Sequence, residues 1–158
     1  MSLAIDDTLP NLTLKTNGAQ GPEEIDTDTL FAGKRVVLFA VPGAFTPGCS
    51  NTHMPGFVIK ADEILAKGVD TIVCTSVNDA FVMGAWQKDQ NAQAITMLAD
   101  GSADFAEAIG LSKDLTAAGM GVRSQRYALI ANDGVVEYLG VDEKGVDKSS
   151  AETILAQL

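Results

Sequence analysis

Apolar residues fall along this chain in continuous, alternating and helical patterns. Val36-Val37-Leu38-Phe39-Ala40-Val41 is apolar throughout, the pattern of a central strand covered on both faces. Val69 to Val77 reads as a second buried strand and Ile95 to Ala99 as a third. Leu12-Thr13-Leu14-Lys15 alternates like a half-buried strand and runs into Asn17-Gly18, a turn. Tyr127 to Ala131 and Val135 to Leu139 flank Asn132-Asp133-Gly134, which predicts an antiparallel hairpin. Helical spacing fills the intervals. Phe57, Ala61, Ile64 and Leu65 form one stripe stopped by Gly68, with Pro55 either kinking that helix or beginning its second segment. Asn78-Asp79 can cap a helix carrying Phe81, Val82, Ala85 and Trp86. Ala103 to Ile109 predicts a short helix ended by Gly110. Ser149-Ser150-Ala151-Glu152 fits a capping box opening a terminal helix, Ile154 to Leu158. The order is β, β-α, β-α, β-α, β-β, α, which predicts an α/β fold with one open mixed sheet and helices on its faces.

A length of 158 residues predicts one domain, residues 1–158, at ~150 residues per domain. Eleven basic residues against twenty-one acidic give a formal net charge of −10, which argues against nucleic acid and against an anionic membrane surface as partners. Two cysteines, Cys49 and Cys74, are too few for a disulfide scaffold. With a single histidine they cannot supply the four Cys/His ligands of a structural zinc site, and no metal or cofactor is expected. The first residues lack the basic region and long apolar core of a signal peptide, and the longest apolar run is far too short to span a bilayer. A reducing, cytoplasmic setting with both thiols free is therefore expected.

The chemistry concentrates in Val41-Pro42-Gly43-Ala44-Phe45-Thr46-Pro47-Gly48-Cys49-Ser50-Asn51-Thr52-His53. This segment leaves a buried strand, turns on Gly and Pro, and sets a cysteine at the start of a helix. The positive end of the helix dipole favours a thiolate there, whereas burial opposes it. Three readings compete. Gly43-x4-Gly48-Cys49-Ser50 matches a phosphate loop except at the lysine, and Pro47 removes an N–H from the cradle. His53, four residues after Cys49 on the same helical face, could form a Cys–His dyad, but nothing evident orients it, and a buried histidine donating to a backbone carbonyl is the preferred reading. Thr46-Pro47-Gly48-Cys49 has the form of a redox Cys-x-x-Cys with threonine in the first place, which sets a hydroxyl beside a single thiolate that can attack an oxidant.

Pro42 to Ser50, followed by Thr52-His53-Met54-Pro55-Gly56-Phe57, resembles the active-site signature of the peroxiredoxins, and specifically of their type II, or atypical two-cysteine, subfamily. The likeness runs over almost the whole chain. It implies a thioredoxin-like fold with an N-terminal strand extension, and a thiol peroxidase acting on hydrogen peroxide and alkyl hydroperoxides. By this resemblance Cys49 matches the peroxidatic cysteine, Thr46 the threonine that hydrogen-bonds peroxide, and Pro42 the proline that shields the thiolate. The family's arginine, just before an aromatic residue, matches Arg126 ahead of Tyr127. Arg123 is the alternative, but odd spacing along an extended chain would put it on the opposite face, and a solvated surface charge suits it better. Arg126 would stabilise both the thiolate and the charge growing on the leaving oxygen, while Thr46 and the Cys49 N–H align the O–O bond.

The sequence departs from part of the family in how the resulting sulfenic acid is reduced. Mammalian relatives have a resolving cysteine near the C-terminus, where this chain has Lys148, Ser149 and Ser150. Plant relatives have a second cysteine 25 residues after the first, which Cys74 matches, yet Thr71-Ile72-Val73-Cys74-Thr75 reads as a buried strand and favours an inert thiol. A one-cysteine cycle with glutaredoxin and glutathione, or thioredoxin, as reductant is the expectation. The resemblance further implies a homodimer, with Phe45 and Phe81 as apolar contacts or, equally, core residues. A redox-regulated binding module without turnover is the competing function on the same fold.

Overall fold

The computed structural model describes residues 2–18 and 20–158. Its main sheet has seven strands in the order β2-β1-β5-β4-β3-β8-β9. These are β1 (Thr13–Gly18), β2 (Gly21–Asp26), β3 (Arg35–Ala40), β4 (Thr71–Ser76), β5 (Ile95–Ala99), β8 (Arg126–Asn132) and β9 (Val135–Asp142). A separate two-stranded ribbon pairs β6 (Ser112–Leu115) with β7 (Gly121–Ser124). The central strands β3, β4 and β5 run parallel, joined by helices, while β1, β8 and β9 are antiparallel to their neighbours. The helices are α1 (Thr27–Phe31), α2 (Met54–Ala66), α3 (Ala80–Asp89), α4 (Asp104–Ala108) and α5 (Ala151–Gln157). This is the expected thioredoxin-like arrangement, a mixed sheet with helices on both faces.

The apolar run at β3 is buried on both sides because each of its faces builds a different core. Val37 and Phe39 join Ile72, Cys74, Met97 and Ile130 beneath α2, α3 and α5. Val36 and Leu38 join Val73, Leu98, Leu129 and Phe105 on the other face. Each large side chain taken out of water stabilises by roughly 1.5–3 kcal/mol, so β3 anchors both layers at once. At the β8–β9 turn Asp133 and Gly134 both take positive φ (51° and 77°), the conformation a two-residue hairpin loop demands.

Four expectations need correction. Asn17 and Gly18 belong to β1, and the turn falls beyond them, because β1 pairs along its length with β2. The buried stripe on α3 is Ala80, Met83, Gly84 and Trp86; of the expected set only Trp86 lies on it, and Phe81 is 74% exposed. What selects this face is close approach: a β-carbon on Gly84 would strike the side-chain amide of Asn17 in β1. At the last helix the cap is Ser150, whose Oγ accepts from Thr153 N at 3.1 Å, and Ser149 is fully buried with its hydroxyl on Asp142. Finally, Phe45 is 53% exposed, so neither it nor Phe81 is core.

Candidate active site

Strand β3 ends at the carboxyl edge of the parallel sheet, where ligands of such sheets gather. The loop that follows is fastened by its own polar groups and by Asn78, just beyond β4. Ala44 N donates to Asn78 Oδ1 at 3.0 Å, and Asn78 Oδ1 also accepts from Ser76 Oγ at 2.7 Å. The Thr46 hydroxyl donates to the Gly43 carbonyl at 2.6 Å, and Ser50 N donates to the Thr46 carbonyl at 2.8 Å. With these groups engaged inside the loop, it is not built as a phosphate cradle. The chain then enters a π-helical turn, Cys49–His53, that continues directly into α2. Pro55 is the second residue of α2, directly after the π turn, so it stands at the start of the second segment.

The hairpin brings the arginine. In the antiparallel pairing of β3 with β8, Ala40 faces Tyr127, which sets Arg126 beside the loop leaving β3. Arg126 Nη2 donates to Cys49 Sγ at 3.3 Å, and Nη1 donates to His53 Nδ1 at 2.8 Å. His53 Nε2 in turn lies 2.8 Å from the Ser149 carbonyl. Gly48 lets the guanidinium pass, since a β-carbon there would stand 3.2 Å from Nη2. Pro42 and Arg126 line an open cleft with Lys113, Gln125 and the segment from Asp142 to Gly145. Asp142 closes the rear of the site, accepting from the backbone N–H of Asp147, Lys148 and Ser149 and from the Ser149 hydroxyl. Partial burial pushes its carboxyl up, but these bonds outweigh that and hold it at about 2.

Cys49, Thr46, Pro42 and Arg126 thus meet at one end of the sheet. Arg123 packs beneath Gly43 in the same loop rather than on the sulfur, and it is not a solvated charge: Nε donates to the Met120 carbonyl at 2.9 Å and Nη1 to the Val77 carbonyl at 3.0 Å. The two arginines lie on β7 and β8, strands of different sheets, so spacing along one extended chain does not relate them. Cys74 is wholly buried in β4, and burial, reinforced by the nearby Cys49, pushes its thiol well above the ordinary range. Three contributors escaped sequence reasoning. They are the second contact of His53, the Asp142–Ser149 clamp, and Trp86, whose indole N–H donates to Ser50 Oγ at 3.0 Å.

His53 gives the fold a pH dependence of definite sign. Burial, with Arg126 acting in the same direction, lowers it from 6.5 to about 4 against the opposing pull of the Ser149 carbonyl and Asp142. The folded state thus binds fewer protons than the unfolded one between these values, and its stability falls as pH drops from 6.5 to about 4. The expected loss is about 3 kcal/mol at 1.36 kcal/mol per pH unit. Urea unfolding across that window measures it, and His53→Asn should flatten the slope. An unchanged slope would contradict the buried neutral imidazole.

A family model for the redoxins matches residues 4–155. The chain is 45% identical over 159 residues to peroxiredoxin-2C of Oryza sativa subsp. japonica, covering 99% of this chain and 98% of that one. It is 47% identical over 163 residues to the chloroplastic peroxiredoxin-2E of Arabidopsis thaliana, covering 99% and 70%. Among solved structures, reduced Prx3 of Vibrio vulnificus in complex with hydrogen peroxide superposes with a TM-score of 0.94 at 55% identity, covering 98% of each chain.

Proposed function

The chain belongs to the redoxin family as a peroxiredoxin of the type II kind, and on that premise we propose that it is a thiol peroxidase in which Cys49 reduces hydrogen peroxide and alkyl hydroperoxides. The observation that carries this reading is the guanidinium of Arg126 at 3.3 Å from a buried sulfur. The guanidinium sets a fixed positive charge and a hydrogen-bond donor beside the atom at which the reaction moves electrons. In the reaction the sulfur's electron pair attacks the terminal peroxide oxygen in line. An S–O bond forms as the O–O bond breaks, and the leaving oxygen takes a proton to become water or an alcohol. Cys49 is left as a sulfenic acid.

Thr46 acts in this scheme as an acceptor. Its own proton is directed to the Gly43 carbonyl, so its free lone pairs face the peroxide O–H and orient it. Arg126 meets the charge that develops on the leaving oxygen, and Pro42 limits water on the open side.

Glutaredoxin with glutathione, or thioredoxin, is the proposed reductant. One thiol attacks the sulfenic sulfur, expelling water and forming a mixed disulfide, and a second thiol releases Cys49. Cys74 takes no part, because its thiol lies inside β4 and is held protonated there, which leaves it no thiolate to attack with. Cys74→Ala should therefore keep close to the parental rate of peroxide consumption with glutaredoxin and glutathione. A dominant Cys49–Cys74 disulfide after one equivalent of peroxide, seen by mass spectrometry and reduced efficiently by thioredoxin, would make Cys74 the resolving residue instead. Peroxide consumption assayed with each thiol donor tests the whole assignment. The assembly proposed with this activity is a homodimer, for which the exposed rings of Phe45 and Phe81 offer apolar surface.

A further inference from the structure

The peroxidase scheme gives the buried imidazole of His53 no task. His53 is the chain's only histidine, is 1% exposed, and packs beside the stacked rings of Phe39 and Phe57, whose centroids lie 5.1 and 5.6 Å from its own. The hydrogen bond to the sulfur comes from Arg126, and the imidazole holds the other branch of that same guanidinium. The partners of its two nitrogens are of opposite kind. The Ser149 carbonyl can only accept, so Nε2 must carry a proton; Arg126 can only donate, so Nδ1 must be bare. One form meets both demands, the neutral Nε2–H tautomer.

We propose that His53 is a positioning residue, which pins one branch of the Arg126 guanidinium so that the other stays on Cys49 Sγ. A planar guanidinium held at a single nitrogen can swing about that contact, but held at two its plane is fixed. Cys49 and His53 stand at the two ends of one π turn, so the arginine also locks that turn at both ends. Behind the imidazole, the Ser149 carbonyl is immobilised through its own residue, whose N–H and hydroxyl both bind Asp142. The charged and titratable groups acting on His53 are Arg126 on β8 and Asp142 on β9, and both are bound within this network. The position of the cation thus depends on three chain segments that meet at one ring. The consequence for turnover rests on the thiol peroxidase reading; the geometry of the arginine does not.

Two substitutions separate the ring's contacts. His53→Asn places an amide oxygen near the position of Nδ1 and keeps an acceptor for Arg126. His53→Gln places its amide near Nε2, keeping the donor to Ser149 but abandoning the arginine. The readouts are ultraviolet thiolate absorbance at neutral pH and the stopped-flow rate of Cys49 oxidation by hydrogen peroxide. His53→Gln is expected to lose thiolate absorbance and slow oxidation by ~10–100-fold, the scale of a misplaced catalytic group, whereas His53→Asn should stay within roughly threefold of the parent. Equal behaviour of the two variants, or the reverse order, overturns the proposal. In the unaltered protein, nitrogen NMR of the single labelled imidazole should show the Nε2–H tautomer at neutral pH; an Nδ1–H or doubly protonated ring overturns it without any variant having to fold. Absorbance and tautomer require no peroxide, so a protein that failed to consume peroxide would refute the peroxidase reading and still leave His53 decided.

Discussion

Cys49→Ser is expected to abolish peroxide reduction while the protein remains folded. Two effects combine. A serine hydroxyl is almost entirely protonated at neutral pH, so the anionic nucleophile disappears, and oxygen cannot be oxidised to the sulfenic state that completes the cycle. Loss of a nucleophile that forms the covalent intermediate costs on the order of a thousandfold or more, here down to background. The fold should survive because the hydroxyl can take the place of sulfur as acceptor for Arg126 Nη2. Peroxide-dependent thiol consumption, compared with a far-ultraviolet circular dichroism spectrum of the same sample, measures both halves. Turnover near the parental level would remove Cys49 from the centre of the mechanism.

The second large effect belongs to Arg126→Ala. It withdraws the cation from the sulfur and from the leaving oxygen together, and losing one such preorganised donor costs ~10²–10³-fold in rate. It also strips His53 Nδ1 of its only hydrogen-bond donor among the described residues, and leaving a buried acceptor unpaired destabilises by about 1–3 kcal/mol. Arg126→Lys should recover little, since a point charge cannot bind sulfur and imidazole at once. Arg123→Ala supplies the contrast: it frees the Val77 and Met120 carbonyls, loosens the loop beneath Gly43, and should slow oxidation by less than about tenfold. Stopped-flow oxidation of Cys49 in both variants gives the ranking, and the reverse order would assign the catalytic cation to Arg123.

Strands whose neighbours cover both faces were readable because burial leaves an unbroken apolar run, as at β3, β4 and β5. The hairpin was readable because Asp133 and Gly134 suit a backbone that few other residues accept. Strand β2 was not. Gly21-Pro22-Glu23-Glu24 is poor in strand-forming residues, and it pairs only because an edge strand tolerates proline and benefits from charge. At α3 hydrophobicity favoured Phe81, whereas the decisive factor was a side chain's absence at Gly84, which no apolar scale registers. Within the site, Cys49 and its loop were legible as a local motif and the arginine through a family resemblance. Asp142 was hidden by a register shift: counting back from the turn (Asn132 facing Val135) sets Val141 opposite Arg126, but the irregularity between Ile130 and Ala131 brings Asp142 there. The role of His53 depends on residues 73 and 96 positions away, a separation that no local pattern encodes.

Trp86 turns the active-site helix into something that can be watched. It is the chain's only tryptophan, fully buried, and its indole N–H is tied to Ser50, the residue after Cys49. Indole emission responds to hydrogen bonding and to the polarity around the ring. Any loosening of the turn when the sulfur is oxidised withdraws that acceptor and alters the ring's surroundings in the same event. The protein therefore carries a built-in optical probe with a single indole, hydrogen-bonded to the neighbour of Cys49, so that changes at this turn can be followed by light without a label, a coupling enzyme or an engineered fluorophore.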